Sequence, residues 1–79
     1  MENIEIVSKL TNIFRNVFSN DSLVLTNELT ANDIVQWDSL SHMLLITEIE
    51  SSFSIKFKLK DLNKMRNVGD MIDIISSKL

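Results

Sequence analysis

The scarcity of turn-forming residues constrains this chain most. It has no proline and one glycine, Gly69, among 79 residues. Tight glycine hairpins and glycine-rich phosphate loops need those residues, so neither is expected. The apolar residues recur three and four positions apart, which is the spacing of a helix. The sequence therefore predicts a single all-α domain over residues 1–79, a small four-helix bundle with three longer helices and one short helix.

The helical pattern falls into four segments. We expect helices over about residues 3–18, from 39 to 52 or 53, over 59–64 and over 68–78. A long loop of residues 19–38 joins the first two. It is too rich in apolar side chains to be a free linker, so we expect it to lie pinned across the bundle, with Trp37 packed onto the helices.

Composition narrows the classes of function. The formal net charge is −3, which disfavours broad nucleic-acid binding. There is no cysteine, so the chain has no disulfide and no thiolate of its own, and the presence of one histidine disfavours a zinc site. No apolar run approaches the length of a membrane span, and no signal-peptide pattern is present. We expect a cytoplasmic protein that binds no nucleic acid, membrane or metal.

The start of the second predicted helix holds the most specific local signal. Asp38 is a good N-cap, because its carboxylate can accept a backbone N–H that would otherwise be unpaired. Ser39 would then be the first helical residue, with its hydroxyl exposed at the positive end of the helix dipole. A phosphate ester would be stabilised there. The serine does not look like a nucleophile, because no general base is evident nearby.

His42 lies one turn after Ser39. A serine and a histidine on one helix, with no evident orienting acid and no oxyanion loop, make a poor hydrolase signature. The position of His42 near an apolar face favours a packed or partly buried side chain. The sequence therefore does not predict an enzyme.

The second helix carries two apolar stripes. One stripe is sufficient for the core face of a helix in a small domain, so the other is either further core or a surface that meets partners, and we favour the surface. The inner stripe comprises Leu45, Ile46, Ile49 and Phe53, with His42 beside them; the outer stripe comprises Leu40, Met43, Leu44 and Thr47.

These features resemble the acyl carrier proteins, the phosphopantetheine-dependent carriers of fatty-acid, polyketide and related pathways. Asp38-Ser39-Leu40 is a weak signal alone, but here it follows a long loop and opens an apolar helix in a chain of suitable length. The further matching residues are Leu45, Ile46, Ile49, Glu50, Phe53, Phe57, Val68, Ile72 and Ile75. The resemblance implies that a phosphopantetheinyl transferase moves phosphopantetheine from coenzyme A onto Ser39. The terminal thiol of the arm then holds an acyl or aminoacyl group as a thioester.

The resemblance also implies a set of partners and site residues. The protein would be a monomer without catalytic activity that receives its cargo from an acyl- or aminoacyl-loading ligase. It would present that cargo to acyl-processing or transferase enzymes. The implied partner-binding residues are Asp38, Leu40, Met43, Thr47 and Glu48, and the implied acyl pocket is formed by Leu45, Ile46, Ile49, Phe57, Leu62, Met65, Val68 and Ile72.

Two departures from the fatty-acid type of carrier bear on the pathway. Leu44 and Ser51 occupy positions often held by glutamate, and the region from Lys56 to Arg66 is basic. Trp37 before Asp-Ser-Leu and His42 after it look more like carriers of specialised biosynthetic gene clusters, so we predict a dedicated pathway. The alternative is a small helical protein-interaction module without a prosthetic group, which would dock through the outer stripe.

Overall fold

A computed structural model describes residues 2–34 and 36–79 of the protein. These residues form four helices: α1 (Asn3–Val17), α2 (Ser39–Phe53), α3 (Leu59–Asn63) and α4 (Val68–Lys78). No strand occurs in the described ranges. The predicted all-α fold is confirmed, and the predicted ends of the first and third helices are each one residue too long. None of the helices described is long and apolar enough to cross a membrane.

The core forms where α1 packs against both α2 and α4. Each of these helices turns one stripe inward, because its apolar residues recur every three or four positions. The buried core residues are Ile6, Leu10, Ile13 and Phe14 of α1, Leu45, Ile46, Ile49 and Phe53 of α2, and Val68, Met71, Ile72 and Ile75 of α4. α3 contributes no fully buried residue.

The loop between α1 and α2 is pinned at both ends, as predicted. The Arg15 Nε–H donates to the Leu23 carbonyl at 2.8 Å. The N–H of Val68, at the start of α4, donates to the Leu29 carbonyl at 3.0 Å. At the other end Trp37 is buried and meets the Phe14 ring edge to face, with centroids 5.3 Å apart. The loop therefore fixes where α2 begins; position 35 lies outside the described residues.

Gly69 allows a close approach between α4 and this loop. Its N–H donates to the Asn27 carbonyl at 3.0 Å. A Cβ atom at position 69 would lie 3.2 Å from that carbonyl oxygen and 3.3 Å from the Asn27 Cβ, which is crowded. The single glycine of the chain therefore serves a backbone contact rather than a tight turn.

Glu50 organises the connection between α2 and α3. Ser54 ends α2 in the left-handed conformation, with φ 55°. The Ile55 N–H then donates to the Glu50 carbonyl at 3.1 Å, and the Phe57 N–H donates to the Glu50 carboxylate at 2.8 Å. These bonds turn Ile55 into the core and set the path of the chain toward α3.

Candidate functional site

Asp38 caps α2, as the sequence predicts. Its Oδ1 accepts the Ser41 N–H at 2.9 Å, and the Ser41 hydroxyl accepts the Asp38 N–H at 2.8 Å. These bonds from Ser41 hold the pKa of the Asp38 carboxyl below its usual value. Asp38 therefore remains a carboxylate near neutral pH and fixes the first turn of α2. The reciprocal role of Ser41 was not predicted, because the usual partner in a capping box is Glu or Gln.

Ser39 is the first residue of α2 and its side chain is exposed. Ser41, two residues later, is in a different situation. Its hydroxyl donates to the Gln36 carbonyl at 2.7 Å while accepting from the Asp38 N–H. Of the two serines, Ser39 is the one placed at the positive end of the helix dipole with its hydroxyl open to an incoming group.

A groove of about 500 Å³ lies beside Ser39. It is formed where the end of the long loop, the first turn of α2 and the α3–α4 connection meet. Its lining residues are Ala31, Trp37, Asp38, Ser39, His42, Met43, Met65 and Arg66. The structure thus brings Ser39 together with predicted docking residues and with Met65 of the predicted acyl pocket. Ala31 and Arg66 were not predicted there, because only the fold brings their distant segments to Ser39.

Trp37 and His42, which both line this groove, form a hydrogen-bonded pair. The Trp37 Nε1–H donates to the His42 Nδ1 at 3.1 Å, and the two rings stack at 18° with centroids 6.1 Å apart. His42 is half-buried, and burial lowers the pKa of its imidazole. The prediction of a packed histidine is confirmed. Its bond to Trp37 was missed, because a spacing of five residues across a helix start has no recognised pattern.

The outer stripe of α2 faces away from the core. Leu40 is 75% exposed, and Met43 and Leu44 are each 53% exposed. Thr47 and Glu48 are exposed on the next turn. The alternative that this stripe is further core is therefore wrong, because too much of its apolar area remains uncovered. Its role in docking partners stays a prediction.

The predicted acyl-pocket residues lie along the inner side of α2 and near α3 and α4. Leu45, Ile46, Ile49, Val68 and Ile72 are buried, and Phe57, Leu62 and Met65 are half-buried. That they hold an acyl chain stays a prediction. In the part of the chain that the structure describes, no cluster of three or more His, Cys, Asp or Glu side chains forms a metal site.

Comparison with known proteins identifies the family. No protein-family model matches the chain. It is 35% identical over 75 residues to the acyl carrier protein of Thermotoga maritima, covering 95% of this chain and 93% of that protein. It is 29% identical over 79 residues to the acyl carrier protein of Coprothermobacter proteolyticus, covering 100% of this chain and 96% of the relative.

A solved structure agrees with these relatives. The solution NMR structure of the holo acyl carrier protein from Geobacter metallireducens superimposes on this fold with a TM-score of 0.87. The two sequences are 54% identical, and the match covers 91% of this chain and 83% of that chain. The present chain therefore belongs to the acyl carrier protein family.

Proposed function

We propose that this protein carries an acyl or aminoacyl group on a phosphopantetheine arm attached to Ser39 and presents it to separate enzymes. Acyl carrier proteins are carriers rather than catalysts, and membership of the family implies covalently attached phosphopantetheine. One observation supports Ser39 as the attachment point: an exposed serine hydroxyl opens α2 beside a groove of about 500 Å³.

The residues of the groove fit the parts of such an arm. The positive end of the α2 dipole and the guanidinium of Arg66 favour a phosphate. Met43, Met65 and the Trp37 ring offer apolar surface to the uncharged part. The arm supplies a terminal thiol, which forms thioesters and which this chain of 79 residues without cysteine lacks.

Asp38 helps to leave Ser39 accessible. Its carboxylate accepts the Ser41 N–H at 2.9 Å, and the Ser41 hydroxyl accepts the Asp38 N–H. The cap is thus made between Asp38 and Ser41 and does not use the hydroxyl of Ser39. The cap also holds the first turn of α2 in place, which keeps Ser39 at the rim of the groove. Asp38 therefore acts as a structural determinant of the site and not as a base.

Intact mass spectrometry tests this function. The purified chain is incubated with coenzyme A, magnesium and a phosphopantetheinyl transferase. We expect every molecule to gain the mass of one phosphopantetheinyl group, and a parallel sample without the transferase to gain nothing. If the complete mixture gives no gain with a transferase that modifies another carrier, the proposal is wrong. The alternative hypothesis, an interaction module without a prosthetic group, would then be favoured.

We further propose that the outer stripe of α2, with Asp38 and Glu48 at its edges, is the surface on which the transferase and the acyl-processing enzymes dock. Its apolar residues are uncovered, and Met43 also lines the groove beside Ser39. A partner seated on the stripe would therefore lie next to the attachment point. Apolar surface of this kind, rimmed by polar residues, is typical of interaction sites.

Met43→Glu tests the docking surface. A charge placed in the centre of an apolar contact would be desolvated without a partner, so kcat/KM for the transferase should fall about tenfold or more. Ser76→Glu adds the same charge at an exposed position of α4 and should leave kcat/KM within about twofold, as expected for a site outside the interface. Equal effects of the two variants would contradict docking on the outer stripe, and unchanged helical circular dichroism would show that both fold.

We also propose that residues 1–79 act as one carrier domain and that this domain serves a dedicated biosynthetic pathway. The protein would act in the cytoplasm, where coenzyme A is available. Support for the pathway comes from the charge pattern. Leu44 and Ser51 leave the outer side of α2 less acidic, while Lys56 lies beside its C-terminal end in a groove with Thr47 and Ser51. Partners with purely basic docking patches would be attracted weakly to such a surface.

A further inference from the structure

The Trp37–His42 pair determines which nitrogen of His42 can act as a donor. Because Nδ1 accepts the Trp37 Nε1–H at 3.1 Å, the neutral ring carries its proton on Nε2. Trp37 is itself held against the rings of Phe14 and Phe18, with centroids 5.3 and 6.1 Å away. The orientation of His42 is thus anchored to the hydrophobic core.

His42 and Ser39 lie on the same side of α2. They lie three positions apart, about one helical turn, and both line the groove. With Nδ1 occupied by Trp37, Nε2–H is the polar group of His42 that remains for a ligand in the groove. Met65 and Arg66 of the α3–α4 connection also line the groove, and the Arg66 N–H donates to the Asp70 carboxylate at 3.2 Å.

We propose that His42, oriented by Trp37, is a positioning residue that donates a hydrogen bond from Nε2 to the phosphodiester linking the arm to Ser39. This inference rests on the proposed function. Arg66, which also lines the groove, supplies a positive charge for the same phosphodiester. The pair would hold the arm along the groove rather than leave it free to swing from the exposed serine.

Few groups complicate a titration of this site. The charged side chains that line the groove with His42 are Asp38 and Arg66. Asp38 stays ionised because its bonds to Ser41 lower its pKa, and an arginine stays protonated throughout the accessible range. A phosphodiester, unlike a phosphomonoester, has no ionisation near neutral pH. Of the three groups, His42 is thus the one whose change of charge the titration follows.

The test compares by NMR the protein without the arm (the apo form) and the protein that carries it (the holo form). His42 is the only histidine of the chain, so its ring protons give one titration curve. A phosphodiester close to the ring stabilises the imidazolium, so the midpoint should rise by about 0.5 to 1 pH unit in the holo form. The ³¹P resonance of the holo form should titrate with the same midpoint. Ser39→Ala, treated in the same mixture, should keep the apo midpoint.

Two variants test whether His42 contacts the phosphodiester directly or only lies near it. In holo His42→Gln the ³¹P resonance should become flat between pH 5 and 8. In Trp37→Phe, which keeps an aromatic ring but removes the donor, the ¹⁵N shifts of His42 should show both neutral tautomers instead of the Nε2–H form alone. The rise in midpoint on conversion to the holo form should then become smaller than in the unchanged chain.

The outcomes distinguish this inference from the proposed function. Absence of any phosphopantetheinyl mass gain would refute the function itself. A full mass gain with an unchanged or lower His42 midpoint, or a wild-type ring protonated on Nδ1, would refute the positioning role and leave the carrier function intact. A raised midpoint accompanied by a titrating ³¹P resonance would support it.

Discussion

Replacing Ser39 with alanine should abolish the gain of a phosphopantetheinyl group completely, whereas replacing Ser41 with alanine should leave that gain in place. The two serines are two residues apart at the same helix start. Only Ser39 has an exposed side chain there, while the Ser41 hydroxyl bonds to Gln36 and Asp38. Intact mass spectrometry at the end point of the transferase reaction measures both variants.

The two variants should also differ in stability, so the comparison separates loss of the attachment point from loss of the fold. Ser39→Ala removes an exposed hydroxyl, so its free energy of unfolding should change by no more than about 0.5 kcal/mol. Ser41→Ala removes one half of the capping box, so it should be the less stable of the two. Loading should therefore follow the position of the hydroxyl and not the stability of the variant. Loading of Ser39→Ala, or failure of a folded Ser41→Ala, would contradict the assignment.

Phe14→Ala should be the most damaging single change to the fold. Phe14 is 0% exposed and its ring contacts both Phe18 and Trp37. Truncation of a buried phenylalanine costs about 3–5 kcal/mol, because it loses apolar burial and leaves a cavity. Domains of this size have total stabilities toward the lower end of about 5–15 kcal/mol. The variant should therefore be largely unfolded at modest urea concentrations or already in buffer.

Leu59→Ala is the matched control for this prediction. Leu59 is 75% exposed at the start of α3, so its truncation should change the free energy of unfolding by less than about 0.5 kcal/mol. The fluorescence of Trp37, the only tryptophan, reports urea unfolding of the region around Phe14. A loss below about 1 kcal/mol in Phe14→Ala would show that the α1–Trp37 contact does not anchor the long loop.

The features that were predictable are those encoded by neighbours along the chain. Helical spacing placed α2 and α4 at their observed bounds, and the Asp38 cap follows from one residue before an apolar run. The two stripes of α2 were also predictable, because the helical period assigns each apolar residue to one face of the helix. Whether that face was buried required the fold, since burial depends on what other segments cover.

The features that were missed depend on segments far apart in sequence. Arg66 reaches the groove beside Ser39 only because the α3–α4 connection folds back over the start of α2. Gly69 is fixed by a backbone contact with Asn27, some forty positions away. The Trp37–His42 hydrogen bond needs both the helix start and the packing of Trp37 on α1. Such contacts leave no periodic pattern in the sequence from which they could be predicted.

Peptide mass spectrometry of the loaded protein determines directly which residue carries the arm. Cleavage after Arg15 and Lys56 yields a peptide of residues 16–56 that holds seven serines, Ser39 among them. Fragmentation of this peptide locates the added group. We expect one phosphopantetheinyl group on Ser39 in every loaded molecule. A group found on any other residue of the chain would contradict it.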